Sequence, residues 1–294
     1  MLTTSNDPSA FPKISVITPS YNQGQYIEET IQSVLGQYYP NLEYIILDAG
    51  STDNTVSIIK KYESQISYWH SKKDNGQASA INEGLNMATG DILCWLNSDD
   101  MFMPGTLHFI AKQLNINKKE LVFGNCCHMT ENTHTMIGSD VVLWARYRDL
   151  KCYDYIIQPS SFWTRKLWEA TGPLNESLHY VLDWDWYIRA QKASDKFTAV
   201  ERYLSIYRIH PLHKTGSKDT RRYEEFKWIY KTYLNEKIVQ YFISLVENKS
   251  LNRLTKKLIN KKRVLWYKRF VTLTRRGMPN NQLRDIAEVV RYNF

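Results

Sequence analysis

Between residues 14 and 125, short apolar runs alternate with helical patterns, and that alternation restricts the chain to few folds. Ile14–Thr18, Glu43–Leu47, Ile66–Trp69, Ile92–Leu96 and Leu121–Phe123 read as strands. Between them, Ile27, Ile31, Val34 and Leu35 recur at helical spacing up to Gly36. Thr55 to Tyr62 and Ala78 to Ala88 read as helices, and Pro104 starts another. Strands that are apolar at nearly every position fit a parallel sheet covered on both faces. Ligands of such sheets sit beyond the C-terminal strand ends. Three polar clusters fall there, Pro19–Gln23, Asp48–Asp53 and Asn97–Asp100, and are expected to converge. No G-x-G-x-x-G follows the first strand and no P-loop lysine is present, which disfavours dinucleotide enzymes and P-loop NTPases.

From about residue 135 the texture changes. Met136–Trp144 reads as a strand, Leu167–Ala170 and Trp184–Lys192 as helices, and Phe197–Tyr207 as one or two strands. Thr220 to Val246 reads as one long aromatic-rich helix, with further helices expected at 251–266 and 280–291. Four cysteines, two of them adjacent (Cys126 and Cys127), do not make a disulfide framework and point to a reducing compartment. The opening residues lack the basic and apolar regions of a signal peptide, and no run suffices for a membrane span. The formal charge is +8, yet residues 251–278 alone hold ten basic residues and no acid, which leaves the remainder at −2. An anionic partner is therefore a question about that stretch alone.

The ordered set Thr18-Pro19-Ser20-Tyr21-Asn22, Asp48-Ala49-Gly50-Ser51-Thr52-Asp53, Asp74-Asn75-Gly76-Gln77, Gly90-Asp91, Leu96-Asn97-Ser98-Asp99-Asp100-Met101, Leu182-Asp183-Trp184-Asp185 and Tyr207-Arg208-Ile209-His210 resembles family 2 of the glycosyltransferases. The likeness runs over roughly residues 12–215. It implies the GT-A nucleotide-diphospho-sugar transferase fold, an α/β fold with a mostly parallel central sheet flanked by helices. The catalytic domain is expected over 1–219, with a donor half at about 12–125 and an acceptor half at about 126–219. A helical, basic C-terminal extension is expected over 220–294. The implied activity is inverting, metal-dependent transfer from a nucleotide-diphosphate sugar, a UDP-sugar above others, to a saccharide or lipid-linked saccharide in cell-surface polysaccharide synthesis.

The resemblance also distributes roles. Two adjacent carboxylates at a strand end can hold a divalent cation, Mn2+ or Mg2+, through oxygen. That cation offsets charge as the diphosphate leaves. Asp99, with Asp100 close behind, and His210 are the implied ligands, while His213 is the weaker candidate of the two histidines. Asp48, Pro19, Tyr21 and Asp74 are placed around the nucleoside, Asn97 and Asp100 beside the donor, and Arg208 against the diphosphate. The family often has acids where this chain has Asn97 and Ala49. Asp53 reads as the cap of the helix starting at Thr55. An inverting transfer needs one base to take the acceptor proton; Asp183 is in the family's position for it. Asp185 is left as an alternative base, an orienting group or a helix cap. Trp163 and Trp184 are the better sugar-stacking candidates among tryptophans expected mostly in the core, and Gln158–Ser161 is expected on the same side.

Two other readings compete. A sugar-nucleotide nucleotidyltransferase would carry a basic, glycine-rich loop after the first strand, where this chain has Ser20-Tyr21-Asn22-Gln23-Gly24. A nucleic-acid-binding protein could use the basic stretch, but no recognised module accompanies it, and no nucleic-acid partner is expected. The 251–278 stretch instead suggests docking on anionic membrane lipid, in a cytoplasmic enzyme peripheral to the inner face of the plasma membrane. Dimerisation through the 220–246 segment is left open.

Overall fold

The structure, a computed structural model, describes residues 11–131, 135–211, 219–248 and 280–293. The basic stretch 251–278, the helix expected at 251–266 and His213 lie outside them. The chain divides into two compact units: residues up to Val142 with Ile156–His213, and Leu143–Tyr155 with the residues from Lys214 on. Residues 143–155, assigned from sequence to the catalytic domain, thus group with the C-terminal part.

In the first unit the elements are β1 (Ile14–Ser20), α1 (Ile27–Leu35), β2 (Leu42–Asp48), α2 (Thr55–Lys61), β3 (Tyr68–Ser71), α3 (Gln77–Met87), β4 (Ile92–Trp95), β5 (Met101–Phe102), α4 (Thr106–Gln113), β6 (Glu120–Thr130) and β7 (Thr135–Gly138). Helix α5 (Val141–Tyr147) begins here, and β8 (Ser161–Thr164), α6 (Arg165–Thr171), α7 (Leu182–Ala193) and β9 (Lys196–Ile209) complete the unit. The described strands form one sheet in the order β3-β2-β1-β4-β8-β6-β9-β5, with β7 on β6. Strands β1 to β4 are mutually parallel, as their unbroken apolar character requires. Strand β8 then enters antiparallel between β4 and β6, so the Leu121–Phe123 run does not lie beside β4. Strand β9 returns parallel to β6 over nearly its whole length.

One face of the sheet buries Ile14, Val16, Tyr44, Ile46 and Cys94 against Ile27, Ile31 and Val34 of α1 and Ile58 of α2. Full burial of each such large aliphatic chain contributes roughly 1.5–3 kcal/mol. On α3, a Cβ at Gly84 would come within 2.6 Å of the Ile17 side chain, so glycine there sets how closely that helix lies on β1. The tryptophans form a nest: Trp163 is 5.4 Å from Trp95 and 4.6 Å from Trp186, ring centre to ring centre. Trp163 and Trp184 are fully buried, which corrects their reading as sugar platforms. Each removes its ring from water in the core instead. The expected strand at Met136–Trp144 is also corrected. It is a four-residue strand, β7, followed by α5. The third strand starts two residues later than read, at Tyr68.

The second unit holds α8 (Thr220–Tyr233), α9 (Glu236–Glu247) and α10 (Asn280–Asn293). The single helix expected over 220–246 is two. The break falls at Asn235, whose side chain accepts from the Ile238 N–H and caps α9. Asp285 of α10 is wholly buried against Arg148 at 3.1 Å, and Arg148 also reaches Glu288 at 2.5 Å. Tyr230 donates to the Cys152 carbonyl at 3.0 Å. No helix among the described residues is long and apolar enough to cross a membrane.

Candidate active site

Strands β1, β2 and β3 end level, with Ser20 opposite Asp48 and Asp48 opposite Ser71. The Pro19–Gln23 and Asp48–Asp53 clusters meet there. Ala49 N–H donates to the Ser20 carbonyl (2.8 Å), Asn22 N–H to Ser51 Oγ (2.7 Å), and Thr52 N–H to Asn22 Oδ1 (2.9 Å). Asp48 is 1% exposed. Its carboxylate accepts from the Gly50 and Ser51 N–H groups, from Ser51 Oγ at 2.5 Å and from Ser71 Oγ at 2.6 Å. Gly50 takes a positive φ of 80° in this turn. The acid therefore organises the 49–51 loop, whatever that loop then binds. Asp53 likewise ties loops together, accepting from Gly24 N–H and from Thr55 N–H and Oγ1. Pro19 is buried within β1, whereas Tyr21, two residues on, is 58% exposed. Asp74 closes a local turn by accepting from Gly76 N–H at 2.8 Å.

Past β4, the Asn97–Asp100 turn meets the end of β9. His210 Nε2 lies 3.1 Å from Asp99 Oδ2, joining residues 111 apart in sequence. Asp100 is 1% exposed and accepts from Arg208 N–H at 3.1 Å and from Asn97 Nδ2 at 3.4 Å. Burial, with the Asp99 carboxylate beside it, pushes the Asp100 carboxyl well above the usual carboxylate range. Asn97 is held on both sides: Gln77 Nε2 donates to its oxygen at 2.9 Å, and it donates to Gln158 Oε1 at 3.2 Å. Gln158 in turn donates to the Trp95 carbonyl at 2.8 Å. The Arg208 guanidinium is turned inward. Its Nε donates to the Asp99 carbonyl at 3.1 Å, Nη2 pairs with Glu29, and the group stacks 4.9 Å over the Tyr26 ring.

The expected base, Asp183, stands in the first turn of α7, half-buried, with Oδ1 accepting the Trp184 N–H at 2.9 Å. Asp185 is buried and paired with Arg189 at 2.9 Å, whose other nitrogens donate to the Thr171 and Pro173 carbonyls. That geometry gives Asp185 the work of fixing α7 to the loop after α6.

Reasoning from sequence missed Tyr26, Glu29, Thr30, Ser71 and Gln77 as partners of the expected site residues. For Tyr26, Glu29 and Thr30 the available signal was their recurrence at helical spacing beside the apolar stripe of Ile27, Ile31 and Val34; Ser71 and Gln77 carried no local signal.

A two-donor cation position fits what is present. Two ligand atoms 3.1 Å apart have about the spacing of neighbouring ligands on a cation with bonds of about 2.1 Å. Among the described residues no group of three or more His, Cys, Asp or Glu is arranged to hold a metal ion. The pair therefore suits a cation shared with substrate oxygens, not a closed protein cage.

The Glycosyl transferase family 2 model matches residues 15–164, just over half the chain, and the chain belongs to that family. It is a glycosyltransferase with the GT-A fold. An uncharacterized glycosyltransferase of Rickettsia typhi is 27% identical over 250 residues, covering 80% of this chain and 75% of the relative. TuaG of Bacillus subtilis, whose name assigns it to teichuronic acid biosynthesis, is 36% identical over 132 residues, 44% of this chain and 49% of TuaG. S. aureus TarS 1–349 in complex with UDP-GlcNAc superposes with a TM-score of 0.62 at 16% identity, over 96% of this chain and 88% of that one. Against a longer TarS chain the match spans 53% of its length. The mannosyltransferase PcManGT of Pyrobaculum calidifontis, in complex with GDP-Man and Mn2+, gives 0.55 at 16% identity, over 97% and 88% of the two chains. These structural likenesses carry the fold.

Proposed function

We propose that this glycosyltransferase transfers a sugar from a nucleotide-diphosphate sugar, with UDP as the leading nucleotide, to a saccharide or lipid-linked saccharide of the cell surface, with inversion and with help from a divalent cation. The observation that carries the reading is the meeting of Asp99 and His210 at 3.1 Å, beyond the C-terminal end of β4. The UDP-GlcNAc and GDP-Man complexes of the structural neighbours and the teichuronic acid assignment of TuaG support the donor class and the acceptor class.

In this reading the 49–51 loop organised by Asp48 and the exposed Tyr21 ring receive the nucleoside, with Asp74 and Asn97 on the donor side. Asp99 and His210 hold the cation, Mn2+ or Mg2+, with Asp100 behind them. The cation, when bound, offsets negative charge on the departing diphosphate. Asp183 takes the proton of the acceptor hydroxyl as that oxygen attacks the anomeric carbon. The carboxylate becomes a carboxylic acid, the glycosidic bond to the diphosphate breaks, and the electron pair leaves with the nucleoside diphosphate. No enzyme nucleophile takes part, so the anomeric centre inverts once. Proton NMR of the first-formed product tests this directly. An anomeric configuration opposite to the donor's is expected; retention would overturn the single-displacement reading.

A further inference from the structure

Helix α1 reaches the acidic turn along one face. Tyr26, Glu29, Thr30, Ser33 and Gln37 follow one another at spacings of three, one, three and four, which places them on one side of the helix and its C-terminal continuation. Each touches the acidic turn, the strand after it, or the end of β9. Thr30, fully buried, donates to both the Ser98 and the Asp100 carbonyls, at 2.9 and 2.8 Å. Ser33 Oγ accepts from Phe102 N–H at 3.1 Å, and Gln37 Nε2 donates to the Met103 carbonyl at 3.1 Å. Glu29 pairs with Arg208 Nη2. The Tyr26 ring lies 4.5 Å from the His210 ring and under the Arg208 guanidinium, and its hydroxyl donates to Glu131 at 3.1 Å. Arg208 closes the set: one side chain, 7% exposed, bridges Glu29, the Tyr26 face and the Asp99 carbonyl, while its own N–H holds Asp100.

We propose that Glu29 and Tyr26 are positioning residues which, through Arg208, hold Asp99 and His210 at the spacing a cation needs. The proposal rests on the cation reading of the Asp99–His210 pair. Charge supports it: an arginine this close to a cation position repels the cation unless a carboxylate offsets it, and Glu29 supplies that carboxylate. Outer partners of this kind govern metal affinity, with losses of about 10–100-fold when they are removed.

The alternative is that Arg208 is a diphosphate ligand parked on Glu29 until donor arrives, and one set of measurements separates the two. Mn2+ binding to the full chain is titrated by electron paramagnetic resonance, alone and with UDP, for wild type, Glu29→Gln, Glu29→Asp and Tyr26→Leu. UDP binding without metal is measured by calorimetry on the same proteins. The positioning role predicts Mn2+ affinity about tenfold weaker in Glu29→Gln and in Tyr26→Leu, partial rescue in Glu29→Asp, and metal-free UDP affinity unchanged. Thermal melting without metal identifies a variant that has lost its fold. Glu29 is half-exposed in the pair, and Tyr26→Leu tests the same bridge from its other side. Unchanged Mn2+ affinity in folded variants would overturn the proposal. So would tighter metal-free UDP binding in Glu29→Gln, which would make Arg208 a diphosphate ligand. Wild-type protein that binds no Mn2+ with UDP present would instead overturn the cation reading beneath it.

Discussion

Asp183→Asn keeps the shape of the side chain and its contact with the Trp184 N–H while removing its basicity. Transfer is expected to slow at least ~100-fold, the usual contribution of a positioned base, with donor affinity unchanged by calorimetry. Turnover at the wild-type rate would move the base elsewhere. Asp185 is a poor second choice, because Arg189 occupies it. At this scale the acids were legible and their partners were not. Asp99, Asp100 and His210 stand in local motifs, and the structure brings them together. The pairing of Arg208 with Glu29, 179 positions away, lies beyond any local pattern. Trp163 was misread because β8 is buried on both faces, which its four residues do not reveal without the strands that flank it.

Among the elements, the opposite end of the sheet from the site carries a staple with a predictable acid response. Burial alone would raise the Glu43 pKa. Hydrogen bonds from Ser15, Thr89 and Lys13 overcome that and lower it from about 4.5 to about 2. A depressed carboxylate stabilises the fold above its unfolded pKa, and the stabilisation is lost as pH falls from about 4.5 through about 2. Chemical denaturation of wild type and Glu43→Gln is expected to differ by up to about 3 kcal/mol at pH 7 and to converge near pH 2. An equal difference at both ends would remove ionisation from the account. The parallel strands β1 to β4 were legible because each has its own apolar run and a following helix. The antiparallel entry of β8 was not, since its place between β4 and β6 depends on pairing with strands far away in sequence. The break at Asn235 was hidden because apolar residues continue at helical spacing on both sides of it.

For the whole molecule, family and fold follow from the first unit, and we propose that the ten basic residues of 251–278 dock the enzyme on anionic lipid. Each basic group near an anionic bilayer contributes about 1 kcal/mol within a screening length. Sedimentation with liposomes is expected to need anionic lipid, to weaken with salt, and to fail when Lys256, Lys257, Lys261, Lys262 and Arg263 are replaced by Gln. Equal sedimentation with neutral vesicles, or none, would contradict docking and leave the catalytic reading untouched. That catalytic reading is tested most directly by nucleoside diphosphate release from a panel of nucleotide sugars, before and after chelation. The account predicts release from at least one donor, loss of it with chelator, recovery with added Mn2+ or Mg2+, and no recovery in Asp99→Asn. Full turnover in chelator, or no release from any nucleotide sugar with cation present, would contradict it.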